Sequence, residues 1–330
     1  MKLAIVLVLT AAGLLAVLWG MDVQDAAQSL AAFDWRSFVL AWSCYWMTQA
    51  IRCWRTRILL GRPVPFWRLM SITGIGYLAI TVIPFRMGEL VRPTLLTDEG
   101  VPFGEGVAAI FMERLADILV LLGFLLSVGF MVELPPAGIM VPTPWLPTPE
   151  TDVMAAGQRL FGISVGGGVT LLLALTLAGD RALVYTDKLP AGLMVRRFVE
   201  GARRLMVNPL NMARVLGLSL LVWVFTLIAV WASMASFPGL PSDLGAVVFT
   251  WTLTLTGLAA IPTPGFFGGF EAMCVAALTV LHADGDKART FALLLHLGQF
   301  AFTISIGTYY VLKEGLSLRD LVKRSASRQV

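Results

Sequence analysis

Two arginines and a glutamate stand between two prolines at residues 83–93: Arg86, Glu89 and Arg92 lie inside Pro84 and Pro93, with Gly88 among them. Guanidinium forks match phosphate oxygens in a bidentate fashion, so Arg86 and Arg92 are candidate phosphate ligands. Glu89 is three residues from each arginine and can pair with either on a helical turn. Apolar sequence flanks the stretch on both sides. Ionisable groups at lipid depth are costly unless paired or facing a cavity, which marks them as functional-site candidates.

A second broken stretch lies at residues 261–271, with Pro262, Pro264, Gly265, Gly268, Gly269 and Glu271. Helix amino termini after Pro84 and Pro264 would direct partial positive charge at a phosphate. The glycines permit tight turns and close backbone approach. Glu271 is suited to hold a head-group amine or to carry a coupling proton. Glu113, Arg114 and Asp117 form a third charged cluster. It reads as a supporting ion network, in which Arg114 and Asp117 are spaced to satisfy each other. His296 reads as a hydrogen-bonded core residue.

These groups need elements to position them, and the composition says which kind. The 330 residues are 57% hydrophobic and only 14% charged, with a mean hydropathy of +0.79. Soluble domains carry about 25% charged residues. The chain therefore reads as all-α and as one integral membrane domain over residues 1–330. The net charge of +4 sits in particular loops and is no sign of nucleic-acid binding. Cys44, Cys53 and Cys274 lack paired spacing and read as small core residues. No metal-ligand pattern or cofactor motif is evident, so no metal or cofactor is expected. The tryptophans read as interfacial anchors.

The first apolar run, residues 3–19, reads as a spanning helix. A second helix is expected over 37–51, leading into a connection at 52–68 with five arginines and no acid. Positive charge marks the cytoplasmic side. The proline-rich loop at 133–157 has no Lys or Arg and reads as external. The stretch 180–214 has seven basic residues against three acids and reads as cytoplasmic. Within it Val195, Val199, Ala202 and Met206 recur at helical spacing, as in an amphipathic helix. The tail at 313–330 is basic, which places both termini in the cytoplasm.

Counting crossings then constrains two regions. Between the internal loop at 52–68 and the external loop at 133–157, the run at 107–132 supplies one crossing. Residues 69–106 must therefore start and finish inside. By the same count residues 240–285 start and finish outside. Their breaks at Pro and Gly favour re-entrant hairpins over pairs of full spans. The expected architecture is about six full spans plus two opposed re-entrant helical hairpins, arranged as an inverted repeat. Broken segments at matching positions of two halves point to a transporter site near the midplane.

The ordered set of motifs resembles the lysylphosphatidylglycerol synthase transmembrane-region family, also called flippase-like. The resemblance covers residues 5–315. It rests on Arg52, Arg55 and Leu59-Leu60; on Pro84, Arg86, Gly88, Glu89 and Arg92; on Glu113, Arg114 and Asp117; and on Pro262, Pro264, Gly265, Gly268 and Glu271. The chain departs from the family at Thr56, where a tryptophan usually follows the arginine. The resemblance implies translocation of a phospholipid or lipid-linked substrate across the inner membrane. The lipid would be an anionic phospholipid or a polyprenyl-phosphate-linked one. The substrate-binding residues would be Arg86, Gly88, Glu89, Arg92, Pro264, Gly265, Gly268 and Glu271. The family's soluble aminoacyl-transferase domain is expected to be absent, which argues against enzymatic lipid synthesis. Alternatives are a membrane enzyme acting on a lipid head group and a non-catalytic scaffold for a lipid-modifying partner. A homo-oligomer is a further option.

Overall fold

A computed structural model describes residues 23–82, 88–133, 140–142, 150–177, 192–206, 208–260 and 266–316. The expected first span at 3–19, and Pro84, Arg86, Pro264 and Gly265, lie outside them. The helices are α1 (Val23–Ala31), α2 (Trp35–Leu60), α3 (Phe66–Val82), α4 (Val91–Thr97), α5 (Phe103–Ser127), α6 (Val153–Leu177), α7 (Gly192–Met206), α8 (Pro209–Ala235), α9 (Leu244–Ala260), α10 (Gly269–Val280) and α11 (Gly285–Lys313). Two three-residue strands, β1 (Met140–Pro142) and β2 (Glu150–Asp152), pair antiparallel with Val141 opposite Thr151. Fold class is therefore helical, with a minor ladder in the proline-rich connection.

α2 differs most from the sequence expectation. The arginines at 52–57 are not a loop, because the helix continues to Leu60. Nothing between Ile51 and Leu60 breaks a helix, and arginine is a good helix former. The stop is Gly61, at φ 59°, where its N–H bonds back to the Arg57 carbonyl at 3.2 Å. A left-handed residue after the last turn is a common helix ending, and glycine adopts it without strain. At the other end Asp34 caps the helix, accepting from the backbone N–H of Arg36 at 3.1 Å and from the Ser37 hydroxyl. The Ser37 hydroxyl holds the Asp34 carboxyl below its ordinary range. The region 20–36, expected as a loop, also contains the short helix α1.

Among the described residues, α8 and α11 are long and apolar enough to cross a membrane. α8 leaves Leu220, Leu221, Val224, Ile228 and Trp231 exposed. α2, α5 and α6 have 26, 25 and 25 residues, and other helices are short. α3 has 17 residues, α10 has 12 and α4 has 7.

The chain forms two compact units, each assembled from three separated stretches. One holds the described residues of Met1–Trp46, Leu121–Gly162 and Val224–Ala301; the other holds Met47–Val120, Ile163–Trp223 and Phe302–Val330. They are not the amino- and carboxy-terminal halves. The first unit contains α9 and α10 and an aromatic cluster of Phe33, Phe38, Phe237 and Phe291 packed edge to face. Phe237 and Phe291 are almost fully enclosed.

The second unit contains α3, α4 and a core built on Leu69, Ile72, Ile75, Leu95, Leu96 and Met112. Helices in lipid gain little from the hydrophobic effect and associate through close packing of small residues. α3 and α11 show this. A β-carbon at Gly307 would lie 2.3 Å from Leu78 Cβ and 3.0 Å from the Gly74 carbonyl oxygen. Gly88 fixes the α3–α4 hairpin similarly: a β-carbon there would lie 2.3 Å from the Ala79 carbonyl carbon. Only hydrogen fits in that space.

Candidate functional site

The second unit encloses a network of charged side chains built from five helices. On α5, Glu113 and Asp117 are four residues apart and share a face. On α2, Arg52, Arg55 and Thr56 share a face for the same reason. α4 supplies Arg92, α3 supplies Tyr77, and α8 supplies Ser219 and Trp223. All five charged groups at its centre, Arg52, Arg55, Arg92, Glu113 and Asp117, are buried.

Arg55 grips Asp117 through both terminal nitrogens, Nη2 donating to Oδ2 at 3.1 Å and Nη1 making the closer contact to Oδ1. Arg55 Nη1 also donates to Ser219 Oγ at 2.7 Å. Trp223 Nε1 donates to Asp117 Oδ1 at 3.2 Å. Arg92 holds Glu113 likewise, Nη1 to Oε2 at 2.8 Å and Nη2 to Oε1 at 3.3 Å. The Thr56 hydroxyl donates to Glu113 Oε1 and accepts from Arg92 Nη2 at 3.2 Å. Arg92 crosses α3 at Gly76, where a β-carbon would lie 2.2 Å from Arg92 Cγ. Arg52 donates to Tyr77 Oη at 2.8 Å, lies 3.8 Å from Asp117 Oδ2, and faces the Trp223 ring at 5.9 Å.

These charges are enclosed but matched by fork-shaped contacts, which is how buried pairs offset their desolvation cost. The match is incomplete in one respect. The Nε–H groups of Arg55 and Arg92 are buried and have no hydrogen-bond partner. Beside this core, Arg114 pairs with Glu89 at 3.5 Å, and both side chains are about a third exposed.

The sequence-level pairings change accordingly. Arg114 is joined to Glu89 and Asp117 to Arg55, so the expected Arg114–Asp117 match is not the one formed. Among the described residues, Glu89 is paired with Arg114 and Arg92 with Glu113. Arg52, Arg55, Thr56, Tyr77, Ser219 and Trp223 did not emerge as site residues. A signal was present, since Arg52, Arg55 and Thr56 recur at helical i, i+3 and i+4. The positive-inside reading assigned those arginines to a loop. Trp223 is enclosed, unlike an interfacial anchor.

The first unit has its own polar centre. Gly268, at φ 90°, begins α10; its N–H donates to Glu271 Oε2 at 2.7 Å. Glu271 is 0% exposed. Its other oxygen lies 2.7 Å from His296 Nδ1 on α11. His296 stacks on the Phe270 ring at 4.4 Å and 15°. Thus Gly268 and Glu271 come together in this unit, while Gly88, Glu89, Arg92, Glu113, Arg114 and Asp117 belong to the other.

Residues 2–307 match the sequence model of the lysylphosphatidylglycerol synthase TM region. The chain belongs to this family. No curated protein and no solved structure matches it. Membership in the lysylphosphatidylglycerol synthase TM family, together with the apolar helices, makes it an integral membrane protein with a role in lipid handling.

Proposed function

We propose that this lysylphosphatidylglycerol synthase TM family member translocates a phospholipid or polyprenyl-phosphate-linked lipid across the inner membrane, without enzymatic change to it. The observation that carries this is the charge balance of the buried network. Among the described residues its centre holds three arginines against two carboxylates, and two guanidinium Nε–H donors are unpartnered. An anionic head group has the charge and the acceptors that such a centre lacks.

In this reading the head group meets a polar station in each unit. Arg86, Gly88, Glu89 and Arg92 serve the first broken segment, and Pro264, Gly265, Gly268 and Glu271 the second. Glu113, Arg114 and Asp117 support them, with Arg55 as a tie. The partly exposed Glu89–Arg114 pair is the first to exchange its partner for lipid. The whole chain acts as one membrane domain with both termini cytoplasmic, about six full spans and two opposed hairpins. Helix length supports the hairpins: at about 1.5 Å per residue α10 rises about 18 Å, short of a hydrocarbon core of about 30 Å.

The test of the site is lipid movement in liposomes by Arg86→Ala, Glu89→Ala and Glu271→Ala variants that purify as folded, monodisperse protein. Each is expected to lose most of the wild-type rate. Full activity in all three would contradict the assignment.

A further inference from the structure

Glu271 on α10 and His296 on α11 form a buried pair at 2.7 Å. The carboxylate is completely enclosed and the imidazole nearly so. Phe270 covers one face of the imidazole, and the Phe267 ring lies 4.6 Å from it. α9, packed against α10, carries no titratable side chain, and neither does α8 from Val224 onward. On α11, His296 is the only one between Arg289 and Tyr309. α10 itself adds Cys274, which is buried and free of any disulfide. α2, which meets α11 where Trp42 touches Gly298, contributes Arg36, Cys44 and Tyr45 within this unit. Asp286, Lys287 and Arg289 occupy the start of α11, where Arg289 pairs with Asp286 at 3.0 Å.

We infer that Glu271 and His296 are a proton-binding site whose loading and unloading drives the translocation step, an inference that rests on the translocator reading above. With one proton the pair has no net charge: either His296 Nδ1–H donates to the Glu271 carboxylate as an ion pair, or the Glu271 hydroxyl donates to Nδ1. Releasing that proton to water leaves a net negative charge in an apolar enclosure, a state that enclosure disfavours. A second proton from water leaves a net positive one. Each change biases the packing of Phe270 and Phe267, and so the α10 start that Gly268 and Glu271 build. No bond other than the N–H or O–H forms or breaks, and no further reactant is needed.

A capping carboxylate alone explains the Gly268 contact, so the experiment must separate the two roles. Glu271→Gln keeps an oxygen for the Gly268 N–H and a donor for Nδ1, but cannot ionise. His296→Gln keeps a polar partner for Glu271 but cannot titrate. Full-length wild type and both variants are placed in liposomes with a fluorescent phospholipid and a trapped pH dye.

Wild type is expected to move lipid at rates differing about tenfold between about pH 5 and about pH 8, with a dye signal that requires lipid. Both variants are expected to lose the pH dependence and the dye signal while remaining folded by circular dichroism. Lipid movement in wild type that ignores pH and moves no protons overturns this inference and leaves the translocator reading standing. A variant pair that keeps the wild-type pH profile also overturns it. Absence of lipid movement by wild type at every pH overturns the reading and the inference together.

Discussion

Arg55 and Asp117 hold each other across two helices with almost no exposure, so losing one partner should cost more than losing both. Arg55→Leu or Asp117→Leu alone leaves a buried charge without its bidentate partner, at an expected cost of about 3–5 kcal/mol. The double variant should recover a large part of that in a double-mutant cycle of unfolding in detergent. A double variant as unstable as the sum of the singles would show that the pair is not the unit of stability. Gly88 makes a second prediction at this scale. Its missing β-carbon would sit 2.3 Å from the Ala79 carbonyl carbon, a backbone atom that cannot rotate away. Gly88→Ala should destabilise by about 1–3 kcal/mol through overpacking, read as a lowered Tm. The residue types of this site were legible in sequence, because charges are conspicuous among apolar residues. Their partners were not, since Ser219 and Trp223 lie more than a hundred positions from the residues they bind. Nor was His296 legible as the partner of Glu271: no local spacing links them.

Helices show where sequence periodicity succeeds and where it falls short. The run at 107–132 falls largely on α5, and the expected helix within 180–214 is α7. Its apolar residues Val199 and Ala202 are buried in its unit, and Gly201 lies close to Ala108 of α5. Arg196 and Arg197 pair with Glu200 along its surface. The end of α2 was missed because charge was taken as a boundary. Only Gly61 and Pro63 mark the true stop. The α3–α11 contact was likewise invisible, since isolated glycines in apolar runs do not say which helix they face. Gly307→Val is expected to separate α3 from α11 and lower Tm, by about 1–3 kcal/mol in unfolding free energy. The equivalent change at Gly217, where no atom lies within 4 Å of a β-carbon, should cost much less. Equal effects at the two positions would contradict the packing argument. The Asp34 cap of α2 also predicts a pH effect. Because its carboxyl range is lowered by the Ser37 hydroxyl, its contribution is present at neutral pH and declines as pH falls through that range. Ser37→Ala should weaken this acid-side change in a melting-versus-pH series, the backbone N–H groups of Arg36 and Ser37 remaining.

At the scale of the whole molecule, composition and family agree on a membrane protein that handles lipid, while topology stands as a proposal. The basic connections that set sidedness in sequence are partly neutralised in structure: Arg62 meets Glu105 at 3.2 Å, and Arg68 meets Glu99 at 2.6 Å and Glu314. Sidedness is best tested at exposed positions. In a background lacking Cys44, Cys53 and Cys274, a cysteine at Asp98 should react only from the cytoplasmic side, and one at Asp284 only from outside. Labelling of both from one side would overturn the crossing count.

The central claim is lipid movement, and it can be measured directly. Purified wild-type protein is placed in liposomes holding a trace of fluorescent phosphatidylglycerol, and dithionite is added outside to bleach accessible label. A lipid translocator brings inner-leaflet label to the reagent, so nearly all fluorescence should disappear. The same preparation with a polyprenyl-phosphate probe then separates the two lipid classes. If only the outer half of each label bleaches, at the rate of protein-free liposomes, the account is contradicted.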